Sequence, residues 1–72
     1  MKKKISIEGM SCQHCVNHVT EALKELEGVD QVEVSLEEKR AIIESAKEIA
    51  DADIKNAIEE VGYEVVEIEA LS

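Results

Sequence analysis

The chain is poor in aromatic residues, in proline and in positive charge. Its 72 residues include one tyrosine, no phenylalanine, no tryptophan and no proline. Single-stranded nucleic acid is commonly bound by stacking bases on aromatic side chains, and this chain has almost none. Seventeen acidic residues against eight basic ones give a net charge of −9, which repels phosphate backbones and anionic membranes. The composition therefore predicts no nucleic-acid partner and no membrane partner.

Long apolar runs and a large core are also missing. No segment approaches the roughly 18 apolar residues that a membrane span needs. A chain this short buries only about 60% of its unfolded surface. Its core could hardly enclose a pocket for a drug-sized substrate, which occupies about 300–1,000 Å³. With 44% hydrophobic residues and no visible linker, residues 1–72 are expected to form a single domain. Any site is expected on a surface loop, and we do not expect an enzyme.

The start of the chain does not resemble a secretory signal. Lys2, Lys3 and Lys4 are basic, but the apolar run of about 7–15 residues that should follow is absent. A cytoplasmic location is therefore expected. The chain has two cysteines, Cys12 and Cys15, and a disulfide between them would constrain the unfolded chain very little. In a reducing cytoplasm they are expected to be thiols available for chemistry.

Hydrophobic periodicity predicts the order βαββαβ. The expected elements are a strand over 2–8, a helix over about 13–27, strands over 32–36 and from 41, a helix from about 51, and a strand over 63–68. This order predicts an α+β, ferredoxin-like fold, in which a four-stranded antiparallel sheet carries both helices on one face.

Individual residues predict where the helices begin and end. Gly28 and Gly62 are expected to end the two helices, and Ser11 and Asp51 are expected to cap their starts. Lys2 to Lys4 are expected to keep an edge strand soluble.

The segment Gly-Met-Ser-Cys-Gln-His-Cys, residues 9–15, is the most informative part of the chain. It lies between the first strand and the first helix, so Cys12 and Cys15 can converge on one ion. The first turn of a helix stabilises a thiolate at Cys15. Two soft thiolates suit Cu(I), whereas structural Zn(II) almost always takes four ligands. Cys12 and Cys15 are therefore predicted to bind Cu(I) at an open site suited to transfer.

A CxxC pair at a helix start is also typical of thioredoxin-like redox proteins. That fold needs roughly a hundred residues and typically has a cis-proline beside the dithiol. Because this chain is shorter and has no proline, a thiol–disulfide redox function is the less favoured alternative.

Three segments together resemble the heavy-metal-associated domain family, most closely its small bacterial copper chaperones. They are Gly9-Met10-x-Cys12-x-x-Cys15, Leu26-x-Gly28-Val29-x-x-Val32-x-Val34, and Ala57-Ile58-Glu59-Glu60-x-Gly62-Tyr63. The resemblance covers nearly the whole chain. It implies Cu(I) bound by Cys12 and Cys15 and passed by thiolate exchange to the metal-binding domain of a copper-transporting P-type ATPase.

Several alternatives stay open within that resemblance. The chain is either a free chaperone or an amino-terminal domain of a copper ATPase, and the metal is either Cu(I) or another soft ion such as Hg(II), Cd(II) or Zn(II). A copper-responsive repressor is a second candidate partner. We expect a monomer without metal, with a copper-bridged dimer as the alternative when metal is bound.

The chain departs from its relatives in its helices. Ala50 stands where relatives often cap the second helix with Ser or Thr. Only Lys24 and Lys55 place positive charge on the helices. A basic docking face like that of eukaryotic relatives is therefore not expected in this chain.

Four residues near the cysteines have weaker signals. Met10 is expected to anchor the loop in the core, and Tyr63 is expected to pack over the site. His14 is a third ligand, a residue that tunes the thiolates, or an exposed residue without a role. His18 is expected on a solvated helix face.

Overall fold

The order of strands and helices is the predicted one. The computed structural model describes residues 1–71. Its elements are β1 Lys2–Glu8, α1 Gln13–Lys24, β2 Val29–Ser35, β3 Arg40–Ser45, α2 Asp51–Glu60 and β4 Glu64–Ala70. The strands form one antiparallel sheet in the order β2-β3-β1-β4. The predicted α+β, ferredoxin-like fold is confirmed.

Both helices cover the same face of the sheet. Alternation in β1 and β3 turns one set of side chains toward the helices, and these pack into a single cluster with the apolar stripes of α1 and α2. The residues with no exposed surface in this cluster are Ile5, Val19, Leu23, Ala41, Ile43, Ile54 and Ile58. The other face is open, and Val66 on β4 is 63% exposed beside an irregularity in the β1–β4 pairing. No helix within residues 1–71 is long and apolar enough to span a membrane.

The first helix ends earlier than expected. It stops at Lys24, and Glu25 occupies the C-cap, so the prediction that Gly28 caps this helix is wrong. The amide of Leu26 bonds to the Leu23 carbonyl, and the carbonyl of Leu26 accepts a bond from the Val29 amide. These shorter bonds turn the chain toward β2, and Gly28 supplies the positive φ of 94° that the turn requires.

The second helix ends as predicted. Gly62, with φ 93°, follows the C-cap residue Val61. Its amide donates to the carbonyl of Glu59, and the amide of Tyr63 donates to the carbonyl of Ile58. This pair of bonds is a Schellman motif, which satisfies carbonyls that the helix end would otherwise leave without partners. The chain is thereby directed into β4.

The two predicted N-caps are wrong by one residue each. Cys12 is the N-cap of α1 and Ala50 is the N-cap of α2, and neither makes a side-chain capping bond. Ser11 therefore lies outside its helix. Asp51 is the first residue of α2, and its carboxylate is directed to a lysine of the sheet instead of to a backbone amide.

That lysine is Lys3, which the sequence analysis placed on an exposed edge. The expectation is wrong because β1 lies inside the sheet and its Lys3 points to the helix-covered face. The Nζ atom of Lys3 donates to the Ile49 carbonyl at 2.8 Å and to Oδ1 of Asp51 at 2.6 Å. These partners satisfy a buried ammonium group that would otherwise be costly.

We predict that Asp51→Asn lowers the free energy of unfolding by about 1–2 kcal/mol, because Lys3 loses a charged acceptor. Asp53→Asn is the matched control: it also removes an acid from the first turn of α2, but Asp53 makes no ion pair within residues 1–71. The control should change stability by less than about 0.5 kcal/mol. Urea unfolding followed by circular dichroism measures both, and equal losses would contradict a stabilising role of the Lys3–Asp51 pair.

Candidate metal centre

The structure brings the two predicted ligands, Cys12 and Cys15, together. Cys12 is the exposed N-cap of α1 in an extended conformation, and Cys15 is half-buried in the first turn. The first intrahelical bond, from the Val16 amide to the Cys12 carbonyl at 3.2 Å, holds the two residues on one turn. Their Sγ atoms are 3.0 Å apart. The predicted helix start at Gln13 is confirmed.

The loop before α1 is held by its buried ends. Ile7 and Met10 lie in the core, each with 2% of its surface exposed, and the amide of Ile7 donates to the carbonyl of Lys39. Between them Gly9 has φ 96°, in the region that favours glycine. The predicted role of Met10 as a core anchor is confirmed, since its side chain belongs to the main hydrophobic cluster.

Tyr63 lies beside this loop because of the sheet register. Glu8 pairs with Glu64, so the residues that flank this pair, Gly9 and Tyr63, are neighbours. Atom Cδ1 of Tyr63 is 3.6 Å from the position that a Cβ on Gly9 would occupy. The half-buried ring also packs against the core cluster. Tyr63 therefore lies beside the metal loop, and its packing over the site stays a prediction.

Hydrogen bonding makes Cys15 an acidic thiol. The Tyr63 hydroxyl is the largest cause, followed by the Cys12 side chain and the Ser11 backbone, and together they lower the pKa of Cys15 to about 6. The same hydrogen bond to Cys15 is the main cause that raises the pKa of Tyr63 to about 12. The phenol therefore stays protonated and donates a hydrogen bond to the sulfur. The helix start predicts an acidic Cys15, but the contribution of the tyrosine hydroxyl has no signal in the sequence.

Neither histidine joins the cysteine pair. Both His14 and His18 are exposed on α1. Within residues 1–71, no group of three or more histidine, cysteine or acidic side chains is arranged to hold a metal ion. The prediction of an exposed position for His18 is confirmed. His14 is brought into no ligand group, so the candidate site consists of the two cysteine sulfurs.

The profile of the heavy-metal-associated domain family matches residues 4–64 of the chain. The copper chaperone CopZ of Staphylococcus epidermidis is 45% identical over 65 residues, a match that covers 89% of this chain and 96% of that protein. The mercuric reductase of Shewanella putrefaciens is 48% identical over 59 residues, but these residues are only 11% of that enzyme. The likeness to the enzyme is therefore confined to a small part of it.

Solved structures show the same fold. A structure of a CopZ metallochaperone superposes with a TM-score of 0.85 and 36% identity, covering 92% of this chain and all of that one. A copper-binding domain from a P-type ATPase also gives a TM-score of 0.85 and 36% identity, covering 97% of this chain and 96% of that one.

We predict that Tyr63→Phe raises the pKa of Cys15, because the thiolate loses its main hydrogen-bond donor while the aromatic ring remains. In the unmodified chain, the rate of Cys15 alkylation should reach half its maximum near pH 6 and nearly its maximum by pH 7. Iodoacetamide rates across pH, with the modified cysteine located by mass spectrometry, measure the shift. His14→Ala is the matched control, since this exposed neighbour of Cys15 does not contribute to the thiolate's hydrogen bonds. An unchanged pH profile in Tyr63→Phe would refute the role of the phenol.

Proposed function

Because the chain belongs to the heavy-metal-associated domain family, we propose that it is a copper chaperone that binds Cu(I) through Cys12 and Cys15. The single observation that supports this most strongly is the sulfur pair itself. Two Sγ atoms lie 3.0 Å apart at the exposed start of a helix, and one of the two thiols has a pKa of about 6. A thiolate is the form that binds metal, so one ligand is ready at neutral pH. Residues 1–72 act, on this proposal, as one metal-binding domain and not as an enzyme.

The donor set favours Cu(I) over Zn(II). Two thiolates without a third protein ligand leave half of a zinc tetrahedron unfilled, while soft Cu(I) is well matched to sulfur. Two metal–sulfur bonds of about 2.3 Å, the zinc–thiolate value, reach across at most roughly 4.6 Å. In a linear two-coordinate arrangement, the sulfurs would therefore have to separate from their present 3.0 Å. Cys12 is the residue free to move, because it is exposed and lies outside the helix, whereas Cys15 is held in the first turn.

The same openness suits transfer by ligand exchange. A thiolate of the acceptor protein attacks the bound copper and forms a third copper–sulfur bond. One cysteine of this chain then dissociates as a thiolate, and a second acceptor thiolate replaces the remaining cysteine. Copper stays Cu(I) throughout, so no oxidant or reductant is needed. The Tyr63 hydroxyl and the Ser11 backbone stabilise the departing Cys15 thiolate by the hydrogen bonds that already lower its pKa.

The proposed acceptor is the metal-binding domain of a copper-transporting P-type ATPase. A copper-binding domain of such an ATPase shares this fold at 36% identity, so two similar cysteine loops would face each other during exchange. A copper-responsive repressor is a further proposed acceptor, and a copper-bridged dimer would use the same facing geometry. The proposed location is the cytoplasm, where thiols remain reduced.

The match to mercuric reductase supports a second candidate, namely that the metal is Hg(II). Mercury is also soft, and the same two thiolates would bind it. The two candidates differ in the metal and in the acceptor, and a direct competition between Cu(I) and Hg(II) for the chain, followed by transfer to the ATPase domain, distinguishes them. Transfer of Hg(II) but not Cu(I) would favour the mercury candidate.

We predict that Cys12→Ser and Cys15→Ser each abolish tight Cu(I) binding, because a single thiolate cannot hold the ion against a chelator. Far-ultraviolet circular dichroism should stay unchanged, since neither side chain is part of the fully buried core. Competition with bathocuproine under anaerobic conditions measures the affinity.

Met10→Leu is the control for this experiment. It removes the thioether of the metal loop while retaining a buried apolar side chain of similar volume. The variant should bind Cu(I) like the unmodified chain. Retention of full affinity in either cysteine variant would refute the two-thiolate site, and loss of affinity in Met10→Leu would make Met10 a ligand.

A further inference from the structure

A groove separates the two helices on the face that the sheet does not cover. We call it the interhelical groove; it has a volume of about 220 Å³ and is lined by His18, Glu21, Ala22, Glu25, Ala57, Glu60 and Val61. Buried Ala22 and half-buried Ala57 form an apolar floor, and the more exposed Val61 lies beside them. Three carboxylates stand at the rim: Glu21 on α1, Glu25 at the C-cap of α1 and Glu60 on α2. All three belong to exposed residues.

The size of the groove limits what it can receive. Pockets for drug-sized molecules occupy about 300–1,000 Å³, so this groove is too small for such a ligand. A single long side chain is a better match for it. A metal ion is not supported as the occupant, because the histidine, cysteine and acidic residues within 1–71 form no group of three or more that could hold one.

The rim carboxylates are not neutralised by the chain itself. The ion pairs within residues 1–71 are Lys3–Asp51, Lys4–Glu69, Arg40–Glu38 and Lys47–Glu27. None of them involves the groove. Three carboxylates around an apolar floor are complementary to a basic side chain, whose aliphatic stem would pack on the alanines while its charged end meets the rim.

The groove also lies next to the cysteines. His18 is three residues after Cys15 on α1, so the two side chains are neighbours on the helix surface. Glu21 and Glu25 continue along the same helix at about 1.5 Å of rise per residue. A protein that brings its own thiolates to Cys12 and Cys15 would therefore have adjacent residues above the groove.

We propose that the interhelical groove receives a lysine or arginine side chain of the protein that accepts the metal. The inference rests on the proposed function, because it assigns the acceptor's contact beside the same cysteine pair. The contact supplies orientation and speed of encounter, while the exchange of sulfur ligands moves the copper. In a chain whose net charge is −9, this contact places the attraction for the acceptor's basic side chain on the face formed by the two helices.

The first experiment tests the chemistry of the groove without any metal or partner. N-acetyl-arginine amide is titrated into the ¹⁵N-labelled chain, with N-acetyl-citrulline amide as the neutral analogue of the same shape. The arginine compound should shift the amide signals of Ala22, Glu25, Ala57 and Val61 more than those of the open sheet face, and the citrulline compound should not. Equal shifts with both compounds, or shifts spread evenly over the acidic residues, would overturn the proposal.

The second experiment measures Cu(I) transfer to the isolated metal-binding domain of the copper ATPase from the same organism. The variant Glu21→Gln/Glu25→Gln/Glu60→Gln removes the rim charge. Its control, Glu33→Gln/Glu44→Gln/Glu67→Gln, removes three charges from strand residues that are exposed and outside the groove. The rim variant should transfer copper about tenfold more slowly at low salt, because the acceptor's basic side chain loses its charged partners. The control should change the rate less than twofold.

A size change separates insertion into the groove from attraction at a distance. Ala57→Leu fills the floor without altering charge, and Ala52→Leu adds the same bulk to an exposed position of α2 outside the groove. Slower transfer in Ala57→Leu alone supports insertion of a side chain. Equal rates in the two leucine variants, or equal effects of the two glutamine variants, would overturn the proposal.

The two hypotheses fail in different ways. Every groove variant should keep the Cu(I) affinity of the unmodified chain, since none alters a cysteine. If the unmodified chain neither binds nor transfers Cu(I), the proposed function is wrong, and the arginine titration still decides whether the groove accepts a basic side chain.

Discussion

The antiparallel pairing of β1 with β4 is the constraint on which the candidate site depends. Its last pair, Glu8 with Glu64, places the loop after β1 beside the turn before β4. Tyr63 therefore packs against Gly9, and its hydroxyl lowers the pKa of Cys15. The Schellman motif at the end of α2 directs the chain into β4 at this point. Without this pairing, the two cysteines would form an ordinary dithiol at a helix start.

The candidate site combines a cysteine held in a helix with an exposed one that precedes it. Cys15 is held in the first turn of α1, where hydrogen bonds stabilise its thiolate, while Cys12 is exposed and outside the helix. The buried side chain of Met10 keeps the loop attached to the core. On the proposed function, such an arrangement suits transfer, because a closed ligand shell would have to open before an acceptor could attack. The small number of sulfur donors and the accessible side are both features that the proposed transfer would need.

Charge is distributed unevenly over the surface. Lys3 is buried and bound to Asp51 and the Ile49 carbonyl. Lys4 pairs with Glu69 on the neighbouring strand, and Arg40 pairs with Glu38 just before β3. The carboxylates around the interhelical groove have no such partners among residues 1–71. Counting charges in the sequence gives the total of −9 but not this arrangement, since pairing depends on which strands and helices are neighbours.

The sequence by itself determined the order of elements, the position of the cysteine pair at the start of α1 and the end of α2 at Gly62. Each depends on hydrophobic spacing or on bonds between residues a few positions apart, so local patterns suffice. The pattern predicts that α1 continues to about residue 27, but the helix ends at Lys24. The hydrogen bond from the Leu26 amide to the Leu23 carbonyl and the turn that follows replace the last helical bonds. Tertiary structure alone decided that Lys3 is buried against Asp51 and that the Tyr63 hydroxyl acidifies Cys15. Both contacts join residues far apart in the chain, and strand order and register bring them together.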